Sequence, residues 1–254
     1  MRASRRETLS LGAAFGFASV MPFAARAQGA AGDTYATDSG EITIHPISHA
    51  SFVMETPGLV IYNDPVGGAE AYAGLPAPQL ILISHEHGDH YDPETLAALV
   101  GEQTQLLTNP AVYDMLPEEL QGRATAIANG ESTTVDDITI DAIPAYNTTE
   151  GRLQYHPEGR DNGYVLTIDG LRVYIAGDTE DIPEMRALEN IDIAFVPMNL
   201  PYTMSPDQAA DGVQAFAPGI VYPYHYRDSD VDVFVETVSA ADVETEVVTG
   251  PWYA

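Results

Sequence analysis

The stretch Leu80-Ile81-Leu82-Ile83-Ser84-His85-Glu86-His87-Gly88-Asp89-His90-Tyr91-Asp92-Pro93-Glu94 decides how this chain is read. Its four leading apolar, β-prone residues predict a short buried strand. Asp92 followed by Pro93 predicts a helix start, with aspartate as N-cap and proline in the first turn. Between the two, His85, His87 and His90 fall within six positions. Their spacing is not helical, so they do not share a helix face. On a strand-to-helix loop, however, imidazoles and a carboxylate can converge on one point. That donor set suits a borderline divalent ion such as zinc. A polar surface loop that merely happens to hold histidines is the competing reading.

The rest of the composition narrows the chemistry. The 254 residues contain no cysteine, so a disulfide or thiolate ligand is impossible and any metal must be held by His, Asp or Glu. An apolar content of 45% is that of a globular protein. Thirty-eight acidic residues face ten basic ones, all of them arginine. Such a chain should avoid anionic partners, which argues against nucleic acid and against an anionic membrane surface. An acidic shell of this kind suits high salt, where screening relieves self-repulsion.

Residues 1–27 differ in kind. Arg5-Arg6 precede an apolar run from Leu9 to Phe23, and Ala25-Arg26-Ala27 ends the segment. A charged start, a short apolar middle and an Ala-x-Ala end predict a cleavable export signal, and the paired arginines are of the twin-arginine type. The run falls short of the ~20 residues a membrane span needs. Cleavage removes Arg2, Arg5, Arg6, Arg26 and Glu7, leaving 6 basic and 37 acidic residues. The expected product is a periplasmic or secreted protein, exported folded, with no membrane attachment after cleavage. Residues 28–40, rich in Ala, Gly, Asp, Thr and Ser, predict a flexible leader.

Residues 41–254 read as one domain of two similar halves. The first half predicts strands over Ile42–Ile47, Phe52–Glu55, Leu59–Tyr62, Leu80–Ile83, Gln105–Thr108, Ala124–Ile127, Ser132–Val135 and Ile138–Ile143. Its helices are predicted over Pro93–Val100 and Pro110–Leu116. The second half predicts strands over Tyr164–Ile168, Leu171–Ala176, Ile191–Val196, Ile220–Tyr222 and Glu246–Thr249. Its helices are expected near Pro183–Leu188, from Ser205 to Phe216 and from Asp228 to Ala240. Two β-rich halves with flanking helices suggest two sheets packed face to face, helices outside.

Three further features lie near predicted strand ends. Asp178, in Gly177-Asp178-Thr179, could bridge two ions or simply cap a turn. His225, in Tyr222-Pro223-Tyr224-His225-Tyr226, could be a ligand or a packed core histidine. His156 sits on the polar segment from Tyr146 to Asn162, a site wall, a lid or a surface excursion.

Together these motifs resemble the metallo-β-lactamase superfamily over roughly residues 41–250, and within it the compact, ascorbate-lactonase-like metal-dependent hydrolases. Ser48-His49-Ala50-Ser51-Phe52, Asn63-Asp64-Pro65, Val196-Pro197-Met198 and Tyr202-Thr203-Met204 support the likeness. It implies an α/β fold, the αββα sandwich, with the site at one edge between two mixed sheets. It assigns His85 and His87 to a first metal, and Asp89, His90 and His225 to a second, with Asp178 bridging. The relatives close the first site with a histidine after a Pro-Ala-x strand end, whereas Pro144-Ala145-Tyr146 here is followed by Asn147. His156 is the expected replacement, with Asn147 or water as alternatives, and His49 and Asp64 are expected to support ligands rather than bind.

The activity so implied is hydrolysis of a small-molecule ester, lactone or phosphoester by water activated between two divalent ions, zinc foremost, manganese or iron otherwise. Asp89 would be the catalytic group that orients that water. Tyr202, Tyr224 and Tyr226 are candidate donors to a developing oxyanion, and Arg152 and Arg160 candidate partners for a substrate anion. A periplasmic metal-binding protein without turnover is the alternative. A flavodiiron-like role lacks room for a flavin domain, and a nuclease lacks a basic stripe. Substrate identity and oligomeric state are not legible.

Overall fold

A computed structural model describes residues 32–253; the expected export signal lies outside them. Seven strands of the first half form one sheet in chain order: β1 Asp33–Ala36, β2 Glu41–Ser48, β3 Ser51–Glu55, β4 Val60–Asn63, β5 Leu80–Ile83, β6 Gln105–Thr108 and β7 Ala124–Ala126. Neighbours pair antiparallel from β1 to β4 and parallel from β4 to β7. The second sheet repeats the scheme with β8 Ser132–Val135, β9 Ile138–Ala145, β10 Asp161–Ile168, β11 Leu171–Ile175, β12 Ile193–Pro197, β13 Ile220–Tyr224 and β14 Glu246–Val247. Here pairing is antiparallel from β8 to β11 and parallel from β11 to β14.

Parallel neighbours need crossovers, and the helices supply them. The first half carries α1 Pro93–Leu99, α2 Pro110–Met115 and α3 Glu118–Gln121; the second carries α4 Pro183–Arg186, α5 Pro206–Phe216 and α6 Val231–Ser239. Asp92 caps α1 by accepting from the N–H groups of Glu94 and Thr95, and Ser205 caps α5 from Gln208 N–H, each followed by proline at the first helical position.

Three apolar clusters define the layers. The central one joins Phe52 and Leu82 of the first sheet to Ile175, Phe195 and Tyr222 of the second. Phe52 stacks on Phe195 at 4.1 Å and Phe195 on Tyr222 at 5.0 Å, with Trp252 edge-on to Phe52 and Phe195. A second cluster packs the other face of the second sheet on α4, α5 and α6; a third packs the first sheet on α1 and α2. The result is the αββα sandwich. Each large apolar side chain removed from water here contributes on the order of 1.5–3 kcal/mol.

The structure departs from the sequence reading at ends and edges. Residues 33–36, expected in a flexible leader, form β1, which pairs with β2 from Asp33↔Ile44 to Ala36↔Glu41 and buries Tyr35. The strand predicted to stop at Ile143 runs on to Ala145, and the one predicted to stop at Tyr222 runs on to Tyr224. Both continue through a proline. Pro144 lies beyond the end of β8, and Pro223 beyond β14, which reaches only Ile220 and Val221, so the missing N–H faces no further strand. The 3₁₀ turn Ala69–Tyr72 and helix α3 were not expected.

Site-bearing segments share one rim. Asp64 follows β4, Ser84–His90 follow β5, Asp178 follows β11 and His225 follows β13, all at C-terminal ends of strands that take part in parallel pairing.

Candidate metal centre

Around Asp178 the structure gathers every histidine and carboxylate that the sequence singled out. Gly177 leads into it with φ of +65°, and a Cβ there would lie 2.7 Å from Asn162 O, so only glycine lets the strand end turn inward. Asp178 Oδ2 lies 3.3 Å from His156 Nε2, 3.3 Å from His225 Nε2 and 3.9 Å from His85 Nε2; its Oδ1 lies 3.3 Å from His90 Nε2. His87 Nδ1 is 3.1 Å from His85 Nε2. The ligand atoms form groups within 4.8 Å of one another: His85, His87 and His156 on one side; His90, His225, Asp89 and His49 on the other; and His85, His90 and Asp178 across the middle.

Outward-facing nitrogens hold the rings. His90 Nδ1 donates to Asp64 Oδ2 at 2.8 Å, and His156 Nδ1 to Asp161 Oδ2 at 2.9 Å. Ser84 Oγ donates to Asp64 Oδ2 at 2.7 Å and lies 2.9 Å from His85 Nδ1. A ring pinned by Nδ1–H presents the Nε2 lone pair inward. His90 Nε2, His156 Nε2, His225 Nε2 and Asp178 Oδ1 are all buried, and none has a hydrogen-bond partner among the described residues. Leaving such groups unpaired costs about 1–3 kcal/mol each. Four at one point, all of metal-ligating type, fit a cation.

The buried acid and imidazoles shift one another's pKa values. Burial opposes ionisation of Asp178, yet the imidazoles of His225, His90 and His156 outweigh it and hold the carboxyl far below the usual range. Burial likewise disfavours charged His90 and His156, but Asp178 with Asp64 lifts His90, and Asp161 with Asp178 lifts His156 to about 9. His85 and His87 go down, first by burial and then by neighbouring imidazoles.

Asp89 stands at the mouth. Its Oδ2 is 3.0 Å from His49 Nε2, 3.3 Å from Arg227 NH2 and 3.7 Å from His225 Nε2. Burial opposes its charge, but the facing imidazoles of His225 and His49 depress its pKa. His49 is engaged at both nitrogens, since Nδ1 meets Tyr253 Oη at 2.6 Å, so it braces Asp89 rather than standing free as a ligand. The His49 ring lies tilted against that of His225, centroids 3.7 Å apart, and the His49 carbonyl accepts from His225 N–H.

The segment after β9 is a pinned wall. Buried Glu180 accepts from the N–H and Oγ1 of both Thr148 and Thr149 and pairs with Arg152 at 2.7 Å. Asn147 does not join the His85 group: its N–H donates to His156 O, and its Nδ2 to the carbonyls of Arg152 and Tyr202. It props the turn that delivers His156. A cavity of about 530 Å³ opens over the cluster, lined by His87, Gly88, Asp89, Tyr155, His156, Asp178, Tyr202, His225 and Arg227. Of the candidate tyrosine donors only Tyr202 lines it; Tyr224 is fully buried with its hydroxyl towards Gly177 O, and Tyr226 packs on Tyr253. The sequence reading missed Tyr155, Arg227 and Tyr253, whose places depend on contacts between distant segments.

Residues 43–225 match the family model of the beta-lactamase superfamily domain. A UPF0173 metal-dependent hydrolase of Thermococcus onnurineus is 31% identical over 195 residues, 73% of this chain and 85% of the relative. This chain belongs to the metallo-β-lactamase superfamily, in its UPF0173 metal-dependent hydrolase family. A second such relative, from Pyrococcus furiosus, is 30% identical over 71% of this chain and 83% of its own length. A crystal structure from Parabacteroides distasonis, provisionally designated a metal-dependent hydrolase, superposes with a TM-score of 0.77 at 44% identity, covering 85% of this chain and 97% of that one. The metallo hydrolase Igni18 of Ignicoccus hospitalis shares the fold, with a TM-score of 0.69 at 24% identity over 82% of this chain and 94% of its own. The chain is thus a metal-dependent hydrolase, and its His/Asp cluster is the metal-binding candidate.

Proposed function

We propose that this hydrolase holds two divalent ions, zinc foremost, and cleaves a small ester, lactone or phosphoester. The observation that carries this reading is the set of four buried, unpartnered atoms (Nε2 of His90, His156 and His225, and Asp178 Oδ1) meeting at one carboxylate. His85, His87 and His156 would hold the first ion, and Asp89, His90 and His225 the second, with Asp178 shared between them. Ions bound there supply Lewis acidity and a water acidified towards neutral pH. Asp89, fixed through Oδ2 by His49, orients the attacking water and takes its proton. Asp64 and Asp161 keep His90 and His156 turned inward through the reaction. Tyr202, at the cavity wall, donates to the oxygen on which charge develops.

The lactonase-like branch and export through a twin-arginine signal belong to the same proposal. They rest on the sequence motifs, and N-terminal sequencing of a periplasmic fraction checks the second: the expected mature chain starts at Gln28. For the centre itself, elemental analysis of protein purified without chelator should give about two metal equivalents, and His156→Ala about one. An unchanged content in the variant would remove His156 from the ligand set. Tight metal binding without metal-dependent turnover of ester, lactone and phosphodiester substrates would exclude the proposed substrate classes.

A further inference from the structure

Of the six arginines in the 28–253 region, five are engaged away from the reaction cavity. Arg152 pairs with Glu180 and donates to Thr203 O, and Arg160 pairs with Asp161 and Glu86 and donates to Tyr155 O. Both are therefore consumed in holding the wall that carries His156, not free for a ligand. Arg123 donates to the carbonyls of Gly101 and Glu102, Arg172 to Glu189 O, and Arg186 pairs with Asp181 and Asp211. Arg227 lines the cavity, and its side chain is 54% exposed.

Its surroundings leave it underused. Of its five N–H donors, the one directed to a side chain among the described residues reaches Asp89 Oδ2 at a long 3.3 Å. That oxygen is already served by His49 Nε2 at 3.0 Å, so Asp89 does not need the guanidinium for a partner. The backbone also bends to put the side chain there. His225 and Arg227 have φ of +49° and +42°, left-handed conformations that cost roughly 1–2 kcal/mol each in a residue with a Cβ. Elsewhere in the cavity Asp89 and Asp178 repel an anion, while Tyr155 and Tyr202, with rings 4.9 Å apart, supply an aromatic wall.

We propose that Arg227 is the anchor for an oxyanion on the substrate: a carboxylate or phosphate held by the guanidinium fork while the scissile bond lies over the His/Asp cluster. This deepens the hydrolase reading above and rests on it. The substrate is then a small ester or lactone carrying an anionic substituent, within reach of a planar, two-donor grip.

The test compares metal-loaded wild type, Arg227→Gln and Arg227→Lys on 4-nitrophenyl propionate and on mono(4-nitrophenyl) succinate, which differ by one carboxylate. Loss of a charge-assisted hydrogen bond should lower the preference for the anionic ester, as the ratio of the two kcat/KM values, about ten- to a hundredfold in Arg227→Gln. Arg227→Lys should restore part of it. A second readout is independent of turnover: phenylglyoxal modification of Arg227 in the metal-loaded protein, followed by peptide mass mapping. Succinate or inorganic phosphate should slow it several-fold and neutral dimethyl succinate should not; the stronger protector identifies which oxyanion is bound. If both esters are cleaved and Arg227→Gln keeps the wild-type preference, the anchor is overturned and the hydrolase reading stands. If neither ester is cleaved, the ester arm of the substrate reading fails, and protection alone decides the anchor: present, it stands; absent for both anions, it falls.

Discussion

His49 is placed to steer the site through its neighbours. Its Nε2 fixes Asp89 Oδ2, its Nδ1 meets Tyr253, and its ring lies on His225. A tyrosine hydroxyl donating to Nδ1 sets the tautomer, so Nε2 carries the proton given to Asp89. Replacing such a partner typically costs ten- to a hundredfold in activity or metal affinity. His49→Gln should lower kcat about tenfold or more while the protein keeps the wild-type metal content. Tyr253→Phe should do less, because the Asp89 contact survives. Paired kinetics and elemental analysis check this; loss of a full equivalent in His49→Gln would make His49 a ligand. The contrast in legibility is local against distant. His85, His87, Asp89 and His90 were readable because one loop carries them, whereas the His49–Tyr253 contact joins residues 204 positions apart. Arg152 and Arg160, open in the sequence between substrate partners and solvated loop arginines, are paired with carboxylates instead, because sequence shows a charge but not the carboxylate that meets it.

Among elements, the strands and capped helices were legible because their apolar runs and Asp-Pro and Ser-Pro starts are local signals. β1 was not: Asp-Thr-Tyr-Ala holds one large apolar residue, and its strand state comes from the edge of β2. The wall between β9 and β10 was equally opaque, since its order rests on contacts with distant segments, Glu180 foremost. Glu180 accepts four hydrogen bonds from Thr148 and Thr149 and pairs with Arg152. Burial opposes its charge, the threonine donors outweigh burial, and its pKa is lowered. A carboxyl with a depressed folded-state pKa stabilises fully above its unfolded value and loses that contribution as pH falls through the folded one. Glu180→Gln should therefore cost about 2 kcal/mol at neutral pH by weakening the pair and leaving polar groups short of partners. The gap to wild type should narrow as pH falls below about 4. Urea melts at pH 7 and in acid read this directly; a gap that widens in acid would contradict the assignment.

At the scale of the molecule, charge and fold answer to different rules. Two sheets with sequential strand order and a shared core follow from apolar patterning, which the acidic surface does not disturb. The excess of 38 acidic over 10 basic residues acts instead on the balance between folded and unfolded states. Compaction brings like charges together, and the self-repulsion is unfavourable unless ions screen it. Screening length falls from about 10 Å at 0.1 M salt to about 3 Å at 1 M. Unfolding should therefore become harder as salt rises. For a domain of this size each 1 kcal/mol recovered raises Tm by about 2–4 °C, so a rise of several degrees between 0.05 and 1 M potassium chloride is expected. Chloride separates the effect from the exclusion-driven stabilisation that sulfate or phosphate would add. The gain should flatten near 1 M, where repulsion is already screened, and should shrink as pH is lowered towards 4 and surface carboxylates take up protons. Thermal melts by circular dichroism across that grid test the argument, and a Tm indifferent to potassium chloride at neutral pH would show that the acidic surface does not set this protein's stability.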